Sequence, residues 1–534
     1  MKTVIIGGGI AGISTATHLR RRDENAEIII LEKNKEFGVS SCALPYLLSG
    51  IIEKPEDITG ATVEQMWQIF KIDVRLEHEV IDIDRKNKML ILEGKTPVSY
   101  DNLVIATGAI QLRPDIEGVL GDNIFTLRNL ESVDKMKLYF EGTDAHDVLI
   151  LGASNIGLET AEAFIRLGAK VCIVEETCGI MPDFDPEIVR RIENHLRNVG
   201  VKLYLRRKVT AFCDNYALLD NGIKINYDMV IIATGVRPDV KLPIMANIHL
   251  GHSGGIITNQ YMQTNDPDIF AAGDNVEFIN AITKQAERQP STPRSIMQAN
   301  VIANFLSGHK TPIGDVITYN ISPIFGYTMA CAGANEKQLL KNGIEFKHIY
   351  LLQNNCDLYM PNSQQMLLKL IFTPDGKILG IQGVGRCGID KRIDIVANLI
   401  KKGGTVEDLS KIMISYSPPY SMAKDALINL GNLACAVVRE EIHYYNFEKL
   451  SQNEDIFLVD IRQAKSFETR HLPHAVNFPL ATIRDNLACF PHDKKIVLYC
   501  GNGYGAYIAY CILRNCGFDN AYLLNTPYDL TTDL

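Results

Sequence analysis

Two of the twelve cysteines in this sequence stand in settings that favour redox chemistry. Cys42 lies in the segment VSSCALPY and is expected to open a short helix, with Pro45 ending or kinking that helix at its start. A thiol at the start of a helix is stabilised as the thiolate, which is the nucleophilic form. Cys500 stands between an apolar strand and a glycine-containing loop that leads into a helix. These two thiols are therefore the candidate catalytic residues.

The other cysteines form neither a metal-site pattern nor a disulfide framework. The sequence contains no CxxC pair and no Cys/His cluster with zinc spacing. In a reducing compartment most of them are expected to be free, buried and inert, and Cys511 and Cys516 are expected to be packing residues. We therefore predict that the protein binds no metal.

Cys42 has no second cysteine close enough in sequence to form a dithiol pair. The positions four to five residues on either side of it are Phe37, Gly38, Tyr46 and Leu47. The thiol must then cycle with an external thiol as a mixed disulfide, or with oxygen or peroxide as a sulfenic acid. Both alternatives are open at this point.

The scaffold for this chemistry begins with a strand, a glycine loop and a helix. A buried strand at residues 3–6 runs into GGGIAG, and a helical stretch follows at residues 13–22. Gly7 allows the tight turn, Gly9 lets a pyrophosphate approach the backbone, and Gly12 lets the helix pack on the strand. The next strand ends in Glu32, whose carboxylate can accept from ribose hydroxyls. The pattern predicts a dinucleotide site.

A second unit of this kind begins near residue 148. Gly152 and Gly157 keep two of the glycine positions, Ser154 replaces the middle one, and Glu175 ends the next strand. A carboxylate there favours a free ribose 2′-hydroxyl, and no arginine stands beside Glu175 in the sequence, so we expect NADH rather than NADPH. Two such units in one chain indicate an internal duplication.

Later segments support the duplication, and one of them belongs with the first dinucleotide unit. The motif ATG closes an apolar strand at residues 106–108 and again at residues 233–235. Arg-Pro pairs follow at residues 113–114 and 237–238, and we interpret them as crossover linkers between domains. A further apolar strand ends in Gly273-Asp274, a motif that can place a carboxylate against the ribityl hydroxyls of a flavin.

Length, charge and hydropathy narrow the class of protein. A chain of 534 residues exceeds what one hydrophobic core normally holds, so several domains are expected. The net charge of −9 argues against a dedicated nucleic-acid binder. No apolar run reaches the roughly 20 residues needed to span a bilayer. The first residues lead directly into the glycine loop and leave no room for a signal peptide. We therefore expect a cytoplasmic protein without nucleic-acid or membrane partners.

Over residues 1 to about 440 the chain resembles the flavoprotein disulfide reductases with two dinucleotide domains. The order of an FAD unit, an inserted NAD unit, a return through the Gly-Asp motif and a dimerisation domain matches throughout. The resemblance implies a homodimer that binds FAD and NADH. The implied FAD contacts are Gly7, Gly9, Gly12, Glu32 and Asp274, and the implied nicotinamide-cofactor contacts are Gly152, Gly157 and Glu175.

The segment around Cys42 is similar to that of the coenzyme A disulfide reductases. The family pattern Ser-Phe-Ala-Asn-Cys-Ala/Gly-Leu-Pro-Tyr reads GVSSCALPY here, so Ser41 replaces the asparagine and Tyr46 is retained. The resemblance implies that Ser41 and Tyr46 bind the substrate and that Arg21 binds a phosphate of CoA. The related NADH oxidases and peroxidases carry a histidine in the first glycine loop, where this chain has Ile10-Ala11.

Two tyrosines extend this resemblance. Tyr359 in LYMP resembles the family's Tyr-Tyr-Pro, and Tyr416 opens a YSPPYS segment that matches its Tyr-x-Pro-Pro-Tyr-Ser loop. In the family these tyrosines come from the partner subunit and act near the thiol, where their phenols can hydrogen-bond or protonate a leaving thiolate. The family's Asn-Arg-Gln-Gly-Arg segment reads IMQAN at residues 296–300, which lacks its two basic residues.

The C-terminal block resembles a rhodanese domain, through LVDIR at residues 458–462 and IVLYCGNGYG at residues 496–505. The resemblance places Cys500 in a cradle of backbone N–H groups at a helix N-terminus, which stabilises a thiolate or persulfide. Rhodanese loops usually carry arginines where this chain has Gly501 and Gly505. Thiosulfate would lose charge-assisted contacts worth about 1.5–3 kcal/mol each, so we expect a persulfide carried on CoA or another thiol.

These observations predict an α/β chain with two Rossmann-like domains, an α+β dimerisation domain and a C-terminal α/β rhodanese-like domain. The expected domains are FAD-binding at 1–112 and 240–322, NAD(P)-binding at 113–239, dimerisation at 323–440 and rhodanese-like at 445–534. The expected activity is NADH-dependent reduction of CoA disulfide, CoA persulfide or polysulfide through Cys42. An NADH oxidase or peroxidase is the enzymatic alternative, and a sulfur-relay or redox-sensing binding module is the alternative of another class.

Overall fold

The computed structural model describes residues 1–143, 145–452 and 455–528. Residue 144 of the predicted NAD(P)-binding domain, and residues 453–454 and 529–534 of the predicted rhodanese-like block, lie outside the described residues. The chain divides into two compact units. The first unit comprises Met1–Met181 and Arg197–Val316, and the second comprises Pro182–Leu196 and Ile317–Leu534.

The elements alternate between strands and helices along most of the chain. The strands of the first half are β1 (Lys2–Ile6), β2 (Glu27–Leu31), β3 (Asp73–Arg75), β4 (Val80–Asp84), β5 (Met89–Leu92), β6 (Lys95–Ser99), β7 (Asn102–Ile105), β8 (Ala109–Gln111), β9 (Ile124–Thr126), β10 (Asp147–Leu151), β11 (Lys170–Glu175), β12 (Lys202–Leu205), β13 (Val209–Phe212), β14 (Tyr216–Leu219), β15 (Lys224–Asn226), β16 (Met229–Ile232) and β17 (Val236–Pro238). The later strands are β18 (Ile269–Ala271), β19 (Phe278–Ile279), β20 (Ala286–Glu287), β21 (Tyr319–Ile324), β22 (Tyr327–Gly333), β23 (Lys347–Asn354), β24 (Gln365–Phe372), β25 (Ile378–Gly385), β26 (Tyr444–Tyr445), β27 (Ile456–Asp460), β28 (Val476–Asn477), β29 (Lys495–Tyr499) and β30 (Ala521–Leu524).

The helices follow the same order. They are α1 (Ile10–Arg20), α2 (Leu44–Leu48), α3 (Val63–Phe70), α4 (Leu130–Gly142), α5 (Asn155–Arg166), α6 (Pro186–Asn198), α7 (Lys241–Met245), α8 (Thr292–Leu306), α9 (Glu336–Lys341), α10 (Ile389–Lys401), α11 (Val406–Ser410), α12 (Ala426–Val438), α13 (Ala464–Thr469) and α14 (Tyr504–Asn515). Short 3-10 segments lie at Ser41–Ala43, Pro55–Ile58, Phe447–Gln452 and Leu480–Cys489.

The first parallel sheet has the strand order β18-β7-β1-β2-β3. Val4 on β1 and Val104 on β7 have no exposed surface. Such burial is typical of a parallel sheet that is covered on both faces. The predicted strand, loop and helix are confirmed, but α1 begins at Ile10 rather than at residue 13, because the extended conformation ends at Gly9.

The second parallel sheet repeats this arrangement in the order β12-β11-β10-β16-β9. Helix α5 follows its glycine loop as α1 follows the first, which confirms the internal duplication. Residues 237–238, which we interpreted as part of a crossover linker, end β17, and Arg237 pairs with Ile110 of β8 in an antiparallel ribbon. The pairing arises because both ATG segments end their sheets and turn into the same ribbon.

The second unit contains an antiparallel sheet in the order β21-β22-β25-β24-β23. Together with the helices that follow it, this sheet confirms the predicted α+β fold of this part of the chain. Helix α10 packs on β22 and β25 and begins at Ile389, after Gly388 in a left-handed conformation with φ of 75°. The C-terminal block forms a parallel sheet in the order β26-β30-β29-β27-β28, and its predicted helix at Tyr504–Asn515 is confirmed.

A buried lysine joins two parts of the second unit. Lys369 on β24 has no exposed surface. Its Nζ lies 2.8 Å from Asp185 Oδ2, 2.8 Å from Glu336 Oε1 and 3.3 Å from Glu187 Oε2. Asp185 and Glu187 belong to Pro182–Leu196, a segment that the sequence places after the second dinucleotide strand. The ion cluster therefore fastens this segment to the antiparallel sheet.

All twelve cysteines are free, but the expectation that most of them are buried is wrong. Five are exposed, because they lie in loops and at helix ends rather than within sheets. Cys511 is half-buried on α14, whereas Cys516 lies at the end of that helix and is exposed, so it is not a packing residue. Within the described parts of the chain, we find no helix with the length and apolar character of a membrane span.

Candidate active site

The first glycine loop has the geometry of a pyrophosphate cradle. Gly7 has φ of 112°, and a Cβ there would lie 2.3 Å from Ala106 O. A Cβ on Gly12 would lie 2.0 Å from Gly7 O, so neither position accepts a side chain. At Gly9, by contrast, no atom lies within 4 Å of the place of a Cβ. The glycine thus opens space beside the start of α1, where a phosphate can approach the backbone.

Glu32 closes this loop from the end of β2. Its buried carboxylate accepts the N–H of Gly8 on Oε2 at 2.7 Å and the N–H of Asn34 on Oε1 at 2.8 Å. A carboxylate offers further lone pairs, so a ribose hydroxyl can still donate to it. Glu32 therefore organises the loop as well as standing at the predicted ribose position.

The second glycine loop has nearly the same backbone geometry as the first. Gly152 has φ of 99°, and a Cβ there would lie 2.4 Å from Ala233 O. A Cβ on Gly157 would lie 2.1 Å from Gly152 O. Ser154 has φ of −81°, which is also the value at Gly9. Because this conformation suits any residue, the serine replaces the middle glycine without backbone strain.

Glu175 occupies the same position relative to the second glycine loop as Glu32 does relative to the first. Its carboxylate accepts the N–H of Ala153 on Oε2 and the N–H of Thr177 on Oε1, each at 2.8 Å. The tertiary structure corrects one premise of the sequence argument. Arg207 N–H donates to Glu175 O at 3.1 Å, and Arg206 N–H donates to Thr177 O at 2.9 Å. Arginines therefore do lie beside this turn, although they are distant from it in sequence.

The Gly-Asp motif follows β18, next to β7 in the first sheet. Gly273 N–H donates to Gln298 Oε1 at 2.8 Å, and half-buried Asp274 accepts the N–H of Ser291 at 3.3 Å. Asn275 is fully buried, and its amide group donates to Thr107 Oγ1 at 3.0 Å. Its Oδ1 has no donor among the described residues. A buried acceptor beside Asp274 suits a ligand that brings hydroxyl donors, as the ribityl chain of FAD does, so these residues fit FAD.

Sequence reasoning missed Asn275. It stands directly after the Gly-Asp motif, and a polar residue at the end of a buried strand was the available signal.

Cys42 is exposed and lies in the 3-10 turn Ser41–Ala43, so it precedes α2 instead of opening it. The reason is local: Pro45 occupies the first turn of α2, and the turn before it closes with a bond from Ala43 N–H to Ser40 O at 2.9 Å. Ser41 is also exposed. The thiol is thus accessible to an external disulfide or oxidant.

Helix α2 packs against α4 and α5 and brings Tyr46 toward a carboxylate that sequence reasoning missed. Burial, together with the charges of Glu159, Glu162 and Cys42, raises the pKa of Tyr46. Burial and the neighbouring Glu162 also raise the pKa of Glu159 to about 7. A carboxyl group that changes protonation near neutral pH therefore stands on α5, close to the Cys42 segment. The signal in sequence was a glutamate directly after Gly157-Leu158, on the inward side of the helix.

Arg21 lies at the end of α1 between Arg20 and Arg22, and the three arginines make different contacts. Arg20 is buried and donates to backbone carbonyls, among them Ala26 O at 2.7 Å. Arg22 donates to Asn300 Oδ1 at 2.7 Å and to Asn304 Oδ1 at 2.6 Å, both on α8. Arg21 is exposed, and one of its nitrogens lies 2.9 Å from the His18 ring. An exposed guanidinium is available for an anionic group.

Tyr359 and Tyr416 form a pair in the second unit. Tyr416 OH donates to Asp357 Oδ2 at 2.7 Å, and Tyr359 OH donates to the same oxygen at 3.1 Å. The hydrogen bond with Asp357, followed by that with Tyr359, raises the pKa of Tyr416 above its ordinary value. Sequence reasoning found both tyrosines but missed Asp357, because nothing in the local pattern links it to Tyr416.

Cys500 lies at the end of β29 in the predicted cradle. Its Sγ accepts the N–H of Gly503 at 3.1 Å and the N–H of Ala506 at 3.3 Å. Burial raises the pKa of the Cys500 thiol, and the backbone N–H groups only partly oppose that effect. A Cβ on Gly505 would lie 2.7 Å from Ile461 Cδ1, so a larger residue there requires that side chain to move. The Cys500 sulfur thus lies among backbone N–H groups, and Gly501 and Gly505 add no charged side chain to this loop.

Family models match three successive parts of the chain. The pyridine nucleotide-disulphide oxidoreductase model matches residues 1–301, and the dimerisation domain of the same family matches residues 322–427. The rhodanese-like domain model matches residues 445–529. These matches follow the order of the parallel sheets, the antiparallel sheet and the C-terminal block.

Curated relatives and solved structures agree with the family models. An NADH oxidase of Methanocaldococcus jannaschii is 32% identical over 81% of this chain and 100% of its own length. A coenzyme A disulfide reductase of Staphylococcus epidermidis is 30% identical over 80% of this chain and 99% of its own length. The reduced CoADR-RHD of Bacillus anthracis has a TM-score of 0.97 and 31% identity, covering 100% of this chain and 98% of its own. An NAD-dependent persulfide reductase from A. fulgidus has a TM-score of 0.94 and 30% identity, covering 99% of this chain and 100% of its own.

Taken together, these matches show a flavoprotein oxidoreductase, an enzyme that uses FAD and NAD(H). The chain belongs to the pyridine nucleotide-disulphide oxidoreductases, and within that family it carries a C-terminal rhodanese-like domain.

Proposed function

We propose that this enzyme uses NADH to reduce CoA disulfide, CoA persulfide or polysulfide through Cys42 as the single redox cysteine. The observation that carries the proposal is the exposed Cys42 turn, which leads into a helix packed on α5 of the second glycine unit. The full-length likeness to CoADR-RHD and to a persulfide reductase supports a disulfide or persulfide as the substrate.

The chemistry follows from the accessibility of Cys42. Its thiolate attacks one sulfur of CoA disulfide, the S–S bond breaks, and the first CoA leaves as a thiolate that takes up a proton. A mixed disulfide between Cys42 and the second CoA remains. When bound, FAD would supply two electrons, taken from NADH, to reduce this mixed disulfide, which releases the second CoA and regenerates the Cys42 thiolate. With CoA persulfide, the Cys42 thiolate would attack the outer sulfur, the S–S bond would break and CoA would leave as a thiolate. Two electrons from the same source would then release the transferred sulfur as sulfide.

The nucleotide-binding roles follow the two matched loops. Gly9 opens the first loop and Glu32 closes it, so the first glycine loop is proposed to hold FAD. The second glycine loop, with Glu175 at its end, is proposed to hold NADH. The proposed FAD contacts are Gly7, Gly9, Gly12, Glu32 and Asp274, and the proposed NADH contacts are Gly152, Gly157 and Glu175. The proposed domains are FAD-binding at 1–112 and 240–322, NAD(P)-binding at 113–239, dimerisation at 323–440 and rhodanese-like at 445–534.

The substrate site is proposed to combine two subunits of a homodimer. Exposed Arg21 offers its guanidinium to a CoA phosphate, while Ser41 and Tyr46 flank the thiol in sequence and turn. The resemblance to the CoA disulfide reductases assigns Tyr359 and Tyr416 to the thiol of the other subunit. The dimerisation domain in the second unit supports this assembly.

Cys500 is proposed to carry sulfane sulfur as a persulfide. The N–H groups of Gly503 and Ala506 are placed to stabilise negative charge on the bound sulfur. Because Gly501 and Gly505 supply no positive charge, a persulfide carried on CoA or another thiol suits the loop better than thiosulfate.

The decisive experiment is Cys42→Ser in the full-length enzyme. The variant is expected to retain FAD and to let NADH reduce it, because neither glycine loop is changed, and to lose reduction of CoA disulfide. Cys178→Ser, which removes another exposed thiol of the same unit, is the matched control and is expected to keep full activity. Turnover of CoA disulfide by Cys42→Ser would refute the assignment. Mass spectrometry of the unreduced protein is expected to find a CoA adduct on Cys42.

A second candidate function is an NADH oxidase or peroxidase that forms a sulfenic acid on Cys42. The exposure of the thiol and the M. jannaschii relative favour it. Rapid consumption of NADH in air without any thiol substrate, lost in Cys42→Ser, would support this function over disulfide reduction.

A further inference from the structure

Two loops of the second unit meet at one carboxylate. The first loop, residues 355–364, connects β23 to β24 and carries Tyr359. The second loop, residues 411–425, connects α11 to α12 and carries Tyr416. Both phenols donate to Oδ2 of Asp357, at 3.1 Å from Tyr359 and 2.7 Å from Tyr416. One oxygen atom thus receives the hydroxyl groups of two loops.

The backbone of Asp357 joins the same two loops. Its N–H donates to Pro418 O at 3.3 Å, two residues after Tyr416. Its own carbonyl accepts the N–H of Met360 at 3.0 Å, which turns the first loop back beside Tyr359. Asp357 is therefore held by its main chain while its side chain binds the phenols.

A buried ion pair anchors the bases of both loops. The Arg392 side chain is almost fully buried, and its Nη2 lies 2.6 Å from Asp425 Oδ2. The same nitrogen donates to Asn355 O at 3.1 Å, near the start of the first loop. Asp425 ends the second loop and caps α12 through the N–H of Leu427 at 3.0 Å. The buried ion pair therefore holds the two loops that carry Asp357 and its phenol partners, in addition to the exposed hydrogen bonds of Asp357 itself.

The charge of Asp357 decides what the phenols can do. A carboxylate beside a phenol favours the neutral hydroxyl and disfavours a second negative charge. In addition to Arg392 and Asp425, Lys391 contacts the second loop, where its Nζ donates to Tyr420 O at 2.7 Å. Because two phenols share one acceptor oxygen, one of them can turn its hydroxyl toward a sulfur while the other keeps its bond to Asp357.

We propose that Asp357 is a positioning residue, which holds Tyr359 and Tyr416 together as one hydrogen-bonding group for the substrate sulfur. This inference rests on the proposed function. When Cys42 attacks a disulfide and the S–S bond breaks, a neutral phenol donates a hydrogen bond to the leaving thiolate. The proton that the thiolate finally takes comes from solvent, because a phenolate beside Asp357 is unfavourable. The phenols therefore act as hydrogen-bond donors rather than as acids.

The test compares Asp357→Asn with the unchanged full-length enzyme, with FAD bound in both. The amide keeps the size and one acceptor of the carboxylate but removes its charge. Tyrosinate absorbance is titrated with and without the additional change Tyr416→Phe, and the difference reports Tyr416 alone. We expect Asp357→Asn to move this difference titration to lower pH by about one unit or more. We also expect kcat/KM for CoA disulfide to fall about tenfold, with its alkaline limb displaced to lower pH.

Two further variants separate position and charge from general damage. Asp357→Glu keeps the charge, and it is expected to restore the high-pH titration of Tyr416 and part of the activity. Asp394→Asn removes an exposed carboxylate from α10 in the same unit and is expected to change neither readout.

Several results would overturn the inference. An unchanged Tyr416 titration in Asp357→Asn would show that the carboxylate does not act on the phenol. A shifted titration with unchanged kcat/KM at every pH would show that the pair does not serve the reaction. Failure of the proposed function has a different signature, which is turnover of CoA disulfide that survives Cys42→Ser.

Discussion

Glu32 and Glu175 perform the same structural task in the two dinucleotide units. Each carboxylate accepts the N–H of the residue after the first loop glycine, from Gly8 at 2.7 Å and from Ala153 at 2.8 Å. Each is therefore fixed with its negative charge at the end of the second strand, where the fold places a ribose. In the second dinucleotide unit we expect the charge of Glu175 to oppose a 2′-phosphate. The main chains of Arg206 and Arg207 bond to the same turn.

At the residue scale, we predict that the unchanged enzyme prefers NADH and that Glu175→Gln weakens this preference. The amide keeps an acceptor for the loop but removes the charge that repels a 2′-phosphate. The ratio of kcat/KM for NADPH to that for NADH is expected to rise about tenfold, because the 2′-phosphate then meets no carboxylate charge at this position. Steady-state kinetics with both cofactors measure this ratio.

Glu176→Gln is the matched control for this change. Glu176 is exposed and pairs with Lys208 at 3.1 Å, outside the loop contacts of its neighbour. A tenfold preference for NADPH in the unchanged enzyme would refute the cofactor prediction, as would equal effects of the two substitutions.

At the scale of elements, a strand, a glycine-containing loop and a helix recur in three places with different consequences. The loops at Gly7 and Gly152 begin with a glycine at φ of 112° and 99°, and each leaves room beside the helix start. In the rhodanese-like block, the corresponding loop turns at Gly503 with φ of 87° and wraps its N–H groups around the Cys500 sulfur. The same element thus forms a glycine turn at the start of a helix in one case and surrounds a cysteine sulfur with N–H groups in the other.

We predict that Cys500→Ser leaves reduction of CoA disulfide nearly intact, because that reaction is assigned to Cys42. Release of sulfide from polysulfide or a large persulfide donor is expected to fall, since the sulfane carrier is lost. Thiosulfate sulfurtransferase activity is expected to be low even before mutation, because Gly501 and Gly505 offer no cation to the anion. The measurement follows sulfide at identical NADH and CoA concentrations.

Cys489→Ser provides the comparison, because it removes an exposed thiol from the same domain. If Cys500→Ser and Cys489→Ser released sulfide at equal rates from every donor tried, the relay through Cys500 would have to be discarded.

At the scale of the whole molecule, the second compact unit includes a segment that interrupts the first compact unit in sequence. Pro182–Leu196 lies between two strands of the second parallel sheet in sequence, yet it belongs with the antiparallel sheet of the second unit. Lys369 is the centre of that association, since it is fully buried and contacts Asp185, Glu187 and Glu336. Removing one partner of a buried ion cluster leaves the others without compensation.

We predict that Lys369→Met destabilises the enzyme by about 3–5 kcal/mol, because Asp185 stays buried without its cation and half-buried Glu336 keeps only His348 as a basic partner among the described residues. Urea unfolding of the full-length protein, followed by circular dichroism, measures the loss. The effect is expected to shrink as the pH is lowered from about 8 to about 5. Without the lysine, the buried carboxyls have raised pKa values, and protonation then removes their charge at lower cost.

Lys377→Met is the control, because it changes an exposed lysine of the same sheet region. Equal losses for the two lysines, or a loss for Lys369→Met that does not depend on pH, would contradict the role given to the buried cluster.

Most of the nucleotide-binding scaffold was predictable from sequence because its requirements are local. A left-handed turn at Gly7 or a close approach at Gly12 admits one residue type, so the loops are visible as glycines at fixed spacing. The strand β29 and the helix at Tyr504–Asn515 were predictable for a similar reason, since an apolar run and a glycine turn mark their ends. Helix starts were less certain: α1 begins at Ile10 because the glycine loop itself caps it.

The sequence by itself determined which residues are candidates for the chemistry: Cys42 without a neighbouring thiol, Cys500 after its strand, and the paired glycine loops. Only the tertiary structure decided which distant groups modify them. Asp357 and Tyr416 are separated by 59 residues, and they meet because two loops are anchored by Arg392 and Asp425 beneath them. The physical reason is that a backbone turn is set by the residues within it, whereas a hydrogen bond between loops depends on how the sheet and helices beneath them pack.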